Sequence, residues 1–312
     1  MIKEEKIIIH NDINIGATVA YKDKEEKRPL VLLIMGTGTL DRDGNGFGFK
    51  SNLYKDLSDM FVDMGYVCIR YDKRGTHEST GNVKTSGLSD LVNDAANVIN
   101  YAKKLDYIDS EKIVVCGHSE GSMIATLLTK TENLQGIILL SGACMSLKEA
   151  MLYQNYLVIE QVKNMKGILG WFLRKTLKNT NVEKQVSDIY EKAEIASKET
   201  YFYNGTLLNT KYMREHNALT GEDYINLLKA YKGKILAITG QSDVQADYKT
   251  LERISDIEGV TISTPKELNH ILRETDKEPN IMNIKKEYKV LLKKPISPII
   301  KETISKWTEE LQ

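Results

Sequence analysis

A serine between two glycines, in the segment GHSEG at residues 117–121, carries the clearest chemical meaning in this sequence. The apolar β-branched run 113–115 precedes the segment, and Ile124 and Leu128 give the residues after it an apolar face at helical spacing. This strand-turn-helix pattern predicts a nucleophile elbow, in which a sharp turn holds the hydroxyl of Ser119 clear of the backbone. We expect the flanking glycines to be steric requirements, because side chains there would crowd the turn.

A serine hydroxyl becomes a useful nucleophile when a histidine takes its proton and a carboxylate orients that histidine. After a nucleophile elbow, the expected chain order is serine, acid, histidine. Asp243 follows the seventh strand-like run in the segment TGQSD, and His270 follows the eighth. The sequence therefore predicts Ser119, Asp243 and His270 as a catalytic triad. Asp247 is the nearest alternative acid, although its position is also typical of the first turn of a helix.

An oxyanion hole needs two backbone N–H groups aimed at the negative charge that develops on the substrate. One predicted donor is the N–H of Glu120, at the start of the helix after the elbow. The other is the N–H of Thr37, whose neighbours Gly36 and Gly38 let the loop after the third strand-like run turn towards a substrate. We interpret the Glu120 side chain as a carboxylate that complements the helix N-terminus.

The elements that must position these groups alternate between strand and helix patterns, which predicts an α/β fold with a mostly parallel sheet. Residues 143–232 show several amphipathic helices and no convincing strand, and they predict a helical cap inserted after the sixth strand. Residues 1–142 and 233–312 are then the core. The eight strand-like runs are residues 6–10, 17–22, 29–36, 67–72, 112–118, 136–142, 234–240 and 259–264.

The composition favours a small-molecule partner. Forty-three basic residues balance forty-three acidic ones, so the chain has no overall field that would hold nucleic acid or an anionic membrane. Cys68, Cys116 and Cys144 are odd in number and lack CxxC spacing, which argues against a disulfide framework or a zinc site. The charged N-terminus does not resemble a signal peptide, and no apolar run reaches transmembrane length. We expect a cytoplasmic location.

The segment DRDGNG at residues 41–46 begins like the calcium-binding loop of an EF-hand. Asn52 stands where that loop needs a bidentate glutamate, and a strand rather than a helix precedes the segment. Its glycines also lack the spacing of a dinucleotide-binding loop. We therefore expect no metal and no cofactor here, and a mobile loop at the rim of the active site.

The cap segment 161–178 interleaves large apolar side chains with basic ones. Two interpretations stay open: a lid that touches lipid, and the commoner arrangement of a solvated cap helix with its apolar side packed down. Some of the many aromatic and methionine residues of the cap are expected to line the substrate pocket. Within residues 161–178 the large apolar side chains are Ile168, Leu169, Trp171 and Phe172, and the basic ones are Lys163, Lys166, Arg174, Lys175 and Lys178.

Several motifs spread along the core occur together in one group of enzymes. They are GTGTLDRDGN (36–45), YDKRGTHESTG (71–81), GHSEGS (117–122), TGQSD (239–243) and NH (269–270). With these motifs the chain resembles bacterial serine esterases of the α/β-hydrolase fold. The resemblance implies that fold, carboxylic-ester hydrolysis, and the triad positions for Ser119, Asp243 and His270. His77 and Ser122 depart from the pattern, each replacing a glycine.

The predicted activity is hydrolysis of a short or medium acyl ester or thioester through an acyl-enzyme on Ser119. A peptidase or an acyltransferase of the same fold would use the same triad, so both stay open. A noncatalytic ligand-binding protein on this scaffold is the alternative from another functional class. The sequence does not predict the physiological substrate or the oligomeric state.

Overall fold

The computed structural model describes residues 1–311, which are built around one eight-stranded sheet. The strands are β1 (Lys3–His10), β2 (Asn14–Tyr21), β3 (Arg28–Ile34), β4 (Val67–Tyr71), β5 (Ile108–His118), β6 (Gly136–Leu140), β7 (Lys234–Ile238) and β8 (Val260–Ser263). Their order in the sheet is β1-β2-β4-β3-β5-β6-β7-β8, where β2 pairs antiparallel with β1 and β4 and the other pairs are parallel. The eight strands and the mostly parallel sheet predicted from the sequence are confirmed.

Helices cover both faces of the sheet because its strands are apolar on both sides. Along β3, Leu30 and Leu32 join one apolar cluster, and Val31 and Leu33 join the other, as the two-residue period of a strand requires. The helices are α1 (Leu53–Asp63), α2 (Leu88–Ala102), α3 (Glu120–Leu128), α4 (Leu147–Asn164), α5 (Gly167–Leu177), α6 (Val182–Ile195), α7 (Thr210–Asn217), α8 (Gly221–Ala230), α9 (Ile284–Leu291) and α10 (Pro298–Glu309). Residues of α2, α3 and α8 belong to the first cluster, and residues of α1 and α10 belong to the second.

Between β6 and β7 the chain leaves the sheet and forms α4 to α8 together with a small hairpin. The hairpin pairs Thr200–Tyr203 with Thr206–Asn209, so the expectation that this segment contains no strand is wrong. Asn204 and Gly205 connect the two strands, with φ angles of 46° and 80°. An Asn-Gly pair is a strong hairpin signal because both residues tolerate positive φ. The division of the chain into core and cap stays a prediction.

None of the helices within residues 1–311 is long and apolar enough to cross a membrane.

Candidate active site

Ser119 lies in the sharp turn between β5 and α3. Its backbone angles, φ 55° and ψ −122°, are strained for a residue with a side chain, and such strain is concentrated at functional turns. The turn is held by two hydrogen bonds, from the Ser119 amide to the Leu140 carbonyl at 2.8 Å and from the Ser122 amide to the Ser119 carbonyl at 2.9 Å. The half-buried serine side chain lines a cavity, as a nucleophile elbow requires.

The glycines on either side of the elbow occupy positions where no side chain fits. A Cβ atom on Gly117 would lie 2.0 Å from the Gly121 carbonyl oxygen, and one on Gly121 would lie 2.1 Å from the Ile34 carbonyl oxygen. The steric role predicted for these two glycines is confirmed. Gly36 approaches from the loop after β3, where a Cβ atom would lie 2.9 Å from Cβ of Ser119. The loop backbone can therefore contact the serine directly.

His270 and Asp243 form a buried hydrogen-bonded pair. The Nδ1 atom of His270 lies 2.9 Å from Oδ2 and 3.1 Å from Oδ1 of Asp243. Asp243 Oδ1 also accepts hydrogen bonds from the amides of Gln245 and Ala246, at 2.7 and 3.0 Å, which fix the carboxylate. Asp247 instead accepts from a backbone amide of the short 3₁₀ helix that follows it, at 3.0 Å. The structure thus brings Asp243, and not Asp247, to the imidazole.

Ser119 and His270 line one cavity of about 440 Å³. A proton on Nδ1, donated to Asp243, leaves Nε2 of His270 as the free base. No hydrogen bond joins that imidazole to Ser119 Oγ within residues 1–311. Such bonds are often long or poorly aligned until a substrate is bound. The Ser119 side chain and the His270 imidazole therefore line the same cavity, and the Asp243 carboxylate is hydrogen-bonded to Nδ1 of that imidazole.

The two predicted oxyanion donors belong to residues next to Ser119: Glu120 follows it in the chain, and Thr37 follows Gly36, which lies against it. Thr37 and Glu120 both line the cavity, and Gly36 brings the first of them against Ser119. In the described chain neither the Thr37 nor the Glu120 amide hydrogen is donated to another protein group. Glu120 is also the first residue of α3, where the helix dipole is positive. Two N–H groups without a protein acceptor therefore belong to residues that line this cavity.

The carboxylate of Glu120 has a larger role than complementing the end of a helix. It is only 2% exposed and accepts hydrogen bonds from Lys73 Nζ and the Tyr212 hydroxyl. Burial acts to raise the pKa of Glu120, but the Lys73 ammonium and His216, whose Nε2 lies 3.4 Å from Glu120 Oε1, together hold that pKa well below its usual range. Lys73 also donates to the Gly36 carbonyl at 2.7 Å. One buried ammonium therefore joins the loop after β3 to Glu120, the residue after Ser119.

A second hydrogen-bonded chain joins the loop after β3 to the backbone of His270. The Gly36 amide donates to the Tyr54 hydroxyl at 2.9 Å, and that hydroxyl lies 3.0 Å from His118 Nδ1. His118 Nε2 lies 2.8 Å from the His270 carbonyl oxygen. A neutral His118 with its proton on Nε2 satisfies every link, because it donates to the carbonyl and accepts from tyrosine. Burial lowers the pKa of His118 to about 3, which keeps the ring neutral near pH 7.

Sequence reasoning assigned no role to Lys73, Tyr54 or His118. A lysine and a histidine inside buried segments were the available signals, since such groups are rarely buried without a partner. The partners themselves could not be identified, because Lys73 and Glu120 are 47 residues apart in the chain.

The carboxylates of the loop after β3 have hydrogen-bonding partners within the protein. Asp43 Oδ1 accepts from Arg70 Nε at 2.6 Å. Asp41 Oδ1 accepts from the amides of Asp43 and Asn45, at 3.0 and 2.8 Å. Both carboxylates of the EF-hand-like segment therefore have protein partners.

The remainder of the cavity wall is mostly apolar. Glu120 supplies the only carboxylate among the lining residues that the structure describes, and Lys73 neutralises it. Further polar side chains come from Ser51, Ser141, Gln154, Gln245 and Tyr288. The apolar lining consists of Leu40, Phe49, Leu53, Met123, Met145, Leu147, Ala150, Met151, Ala246 and Ile271.

Comparison with known families gives one match that covers most of the chain. The model of the family Hydrolase_4, described as serine aminopeptidase S33, matches residues 44–272. No curated protein matches the sequence significantly.

Solved structures with the same fold span nearly the whole chain at low sequence identity. Est1E from Butyrivibrio proteoclasticus with bound ferulic acid is 17% identical over 93% of this chain and 99% of its own, with a TM-score of 0.58. The Pyrococcus furiosus esterase Pf2001 is 12% identical over 99% and 92%, with a TM-score of 0.55. Mouse α/β hydrolase domain-containing protein 10 is 12% identical over 93% and 99%, with a TM-score of 0.54. The predicted α/β-hydrolase fold is confirmed.

Proposed function

The chain belongs to the Hydrolase_4 family, described as serine aminopeptidase S33, and from this premise we propose that it is a serine hydrolase of carboxylic esters. The observation that supports this most strongly is the buried Asp243–His270 pair, which faces the same cavity as Ser119 in its strained turn. A noncatalytic binding protein would have no need of a strained serine opposite an oriented imidazole. The proposed site residues are Ser119, Asp243 and His270, with the amides of Thr37 and Glu120 as oxyanion donors.

In the proposed reaction, Ser119 Oγ attacks the ester carbonyl carbon while Nε2 of His270 takes the hydroxyl proton. Asp243 stabilises the imidazolium, and the two amides bind the oxyanion of the tetrahedral intermediate. Collapse of that intermediate breaks the ester C–O bond, and the imidazolium returns its proton to the leaving alcohol. Water then attacks the acyl-enzyme with His270 as base, which releases the carboxylic acid and restores the serine.

The mostly apolar wall of the cavity favours a substrate that is recognised by an uncharged acyl group. The cavity volume of about 440 Å³ lies within the range typical of small-molecule sites. Met123, Met145 and Met151 contribute flexible side chains that adapt to different apolar shapes. Esters and thioesters with short or medium acyl chains fit these properties.

The family description makes an aminopeptidase the competing function. Such an enzyme must bind a charged α-amine close to the scissile bond, and an unpaired carboxylate is the natural partner for it. Glu120, the carboxylate found in the described wall, is already paired with Lys73 and Tyr212. This pairing favours a neutral ester over a peptide N-terminus.

A substrate panel tests the proposal. We expect p-nitrophenyl esters from acetate to decanoate to be hydrolysed, with the highest kcat/KM at a short or medium chain, while prolyl, alanyl and leucyl p-nitroanilides are not cleaved. Ser119→Ala serves as the control for background hydrolysis. Faster cleavage of an aminoacyl anilide than of every ester would establish the peptidase instead, and product formed only with an added alcohol acceptor would establish an acyltransferase.

A further inference from the structure

Four large apolar side chains of α5 point into solvent. Ile168 is 87% exposed, and Leu169, Trp171 and Phe172 are 59%, 57% and 58% exposed. We call these four residues the α5 patch. Single exposed apolar residues are common on proteins, but a contiguous group of large ones marks an interaction site.

The geometry of α5 shows that the patch is not the side of the helix that packs on the protein. Gly170 is buried, and Leu173 and Leu177 are half-buried, so these residues form the inward side. At 100° per residue, Ile168 and Phe172 lie on the opposite side of the helix from Gly170. The helix therefore has apolar residues on both sides. The interpretation of a cap helix with its apolar side packed down does not account for the patch.

The chain segment that carries the patch has charges of one sign. Residues 161–178 contain five basic residues and no Asp or Glu, in a chain whose formal net charge is zero. Lys163, Lys166, Lys175 and Lys178 are exposed. Lys175 Nζ lies 5.5 Å from the centre of the Trp171 ring, so a cation stands directly beside the apolar surface. An apolar patch surrounded by unopposed cations is complementary to a surface that is apolar inside and anionic outside.

We propose that α5 is an interfacial anchor that binds anionic lipid surfaces. The patch inserts among the acyl chains next to the head groups, and the lysines contact lipid phosphates. A tryptophan at the boundary between apolar and charged groups suits this position, since its ring is apolar and its N–H is polar. The helix lies on the surface and does not cross it, consistent with the lack of any spanning helix within residues 1–311. This proposal does not depend on the enzymatic activity.

Vesicle binding by the full chain tests the anchor directly. We expect the chain to float with vesicles of equal parts phosphatidylcholine and phosphatidylglycerol, and to remain unbound with phosphatidylcholine alone. Added salt should weaken the binding, because the attraction to head groups is screened. The emission of Trp171 should shift to the blue on binding, and Trp307, the second tryptophan, is buried and contributes a constant background.

Substitutions separate the patch from the rest of the cap. Ile168→Ser/Phe172→Ser should abolish flotation, and Lys166→Gln/Lys175→Gln should weaken it on the order of tenfold or more. Ile195→Ser/Phe202→Ser is the matched control, since those side chains are 84% and 70% exposed in the same cap but lie outside α5. The control should bind like the unaltered chain, and far-UV circular dichroism should show all three variants folded.

Several results would overturn the proposal. One is the absence of flotation with the anionic vesicles, or equal flotation with neutral ones. Another is an equal loss in the control variant. A third is a dimer, seen by light scattering, that Ile168→Ser/Phe172→Ser dissociates while vesicles stay unbound, because the patch would then contact a second copy of the chain.

Discussion

Replacing Lys73 with methionine removes the ammonium that joins Gly36, in the loop after β3, to Glu120. The substitution leaves the Glu120 carboxylate buried, at 2% exposure, without its cation. Breaking a buried ion pair by removing one partner costs about 3–5 kcal/mol. The Tyr212 hydroxyl still donates to Glu120, so we expect the lower end of that range, a loss of about 3 kcal/mol in the free energy of unfolding.

The same change should slow ester hydrolysis, because Lys73 also holds the Gly36 carbonyl next to the proposed donor Thr37. A lost oxyanion donor lowers kcat by about 10²–10³, and a displaced one should cost less, about tenfold to hundredfold. The double variant Lys73→Met/Glu120→Gln distinguishes the two effects. Its stability should recover most of the loss, since no charge is left unpaired, whereas kcat should stay low because the Gly36 carbonyl still lacks its donor.

Urea unfolding and p-nitrophenyl butyrate kinetics on the same preparations measure both quantities. Lys103→Met is the matched control: Lys103 pairs with Glu132 at 2.8 Å, but in a more exposed position, so its loss should cost less than about 1 kcal/mol and leave kcat unchanged. The reasoning is refuted if Lys73→Met behaves like Lys103→Met, or if the double variant regains full kcat.

Other parts of the proposed site lead to further expectations. Ser119→Ala should lower kcat for p-nitrophenyl esters by about 10⁴–10⁶ and leave the urea midpoint unchanged; near-normal turnover would contradict the assignment. Asp243→Asn should lower kcat by about 10⁴ and Asp247→Asn should have little effect, and the reverse order in the same assay would exchange their roles. Burial holds the pKa of His118 at about 3 in the folded protein, below its ordinary value of about 6.5. As the pH falls below about 6.5, the unfolded chain binds a proton at this residue that the folded chain does not, so the free energy of unfolding decreases. Urea unfolding should show that His118 lowers the free energy of unfolding by about 2 kcal/mol at pH 5 relative to neutral pH, and His118→Gln should remove this pH dependence. EDTA and added calcium should leave activity unchanged, since the carboxylates of residues 41–46 already have partners, and loss on chelation with recovery in calcium would show a metal site there.

The sheet and the elbow could be predicted from the sequence because both are local patterns. Buried parallel strands are continuous apolar runs, and the elbow is five consecutive residues between a strand and a helix. Asp243 could be chosen over Asp247 because chain order and the position after β7 limited the alternatives. The hairpin of residues 200–209 was missed because its strands are short and partly exposed, so they lack an apolar run, although Asn204-Gly205 marked the turn.

The supporting contacts of the site depend on distant parts of the chain. Tyr54 meets His118 across 64 residues, and nothing in either local sequence specifies the other. The exposure of the α5 patch could likewise not be predicted from the sequence. Apolar spacing shows that a helix has two sides, but with Gly170 and Leu173 on one and Ile168 and Phe172 on the other, only the fold decides which side is buried.

Covalent labelling with a fluorophosphonate tests the central claim most directly, because such reagents react with a serine activated by a neighbouring base. We predict one adduct per chain, located on Ser119 by peptide mass spectrometry, with ester hydrolysis lost in proportion to labelling and no adduct in Ser119→Ala. An adduct on another residue, or undiminished ester hydrolysis by a chain fully labelled at Ser119, would contradict the account.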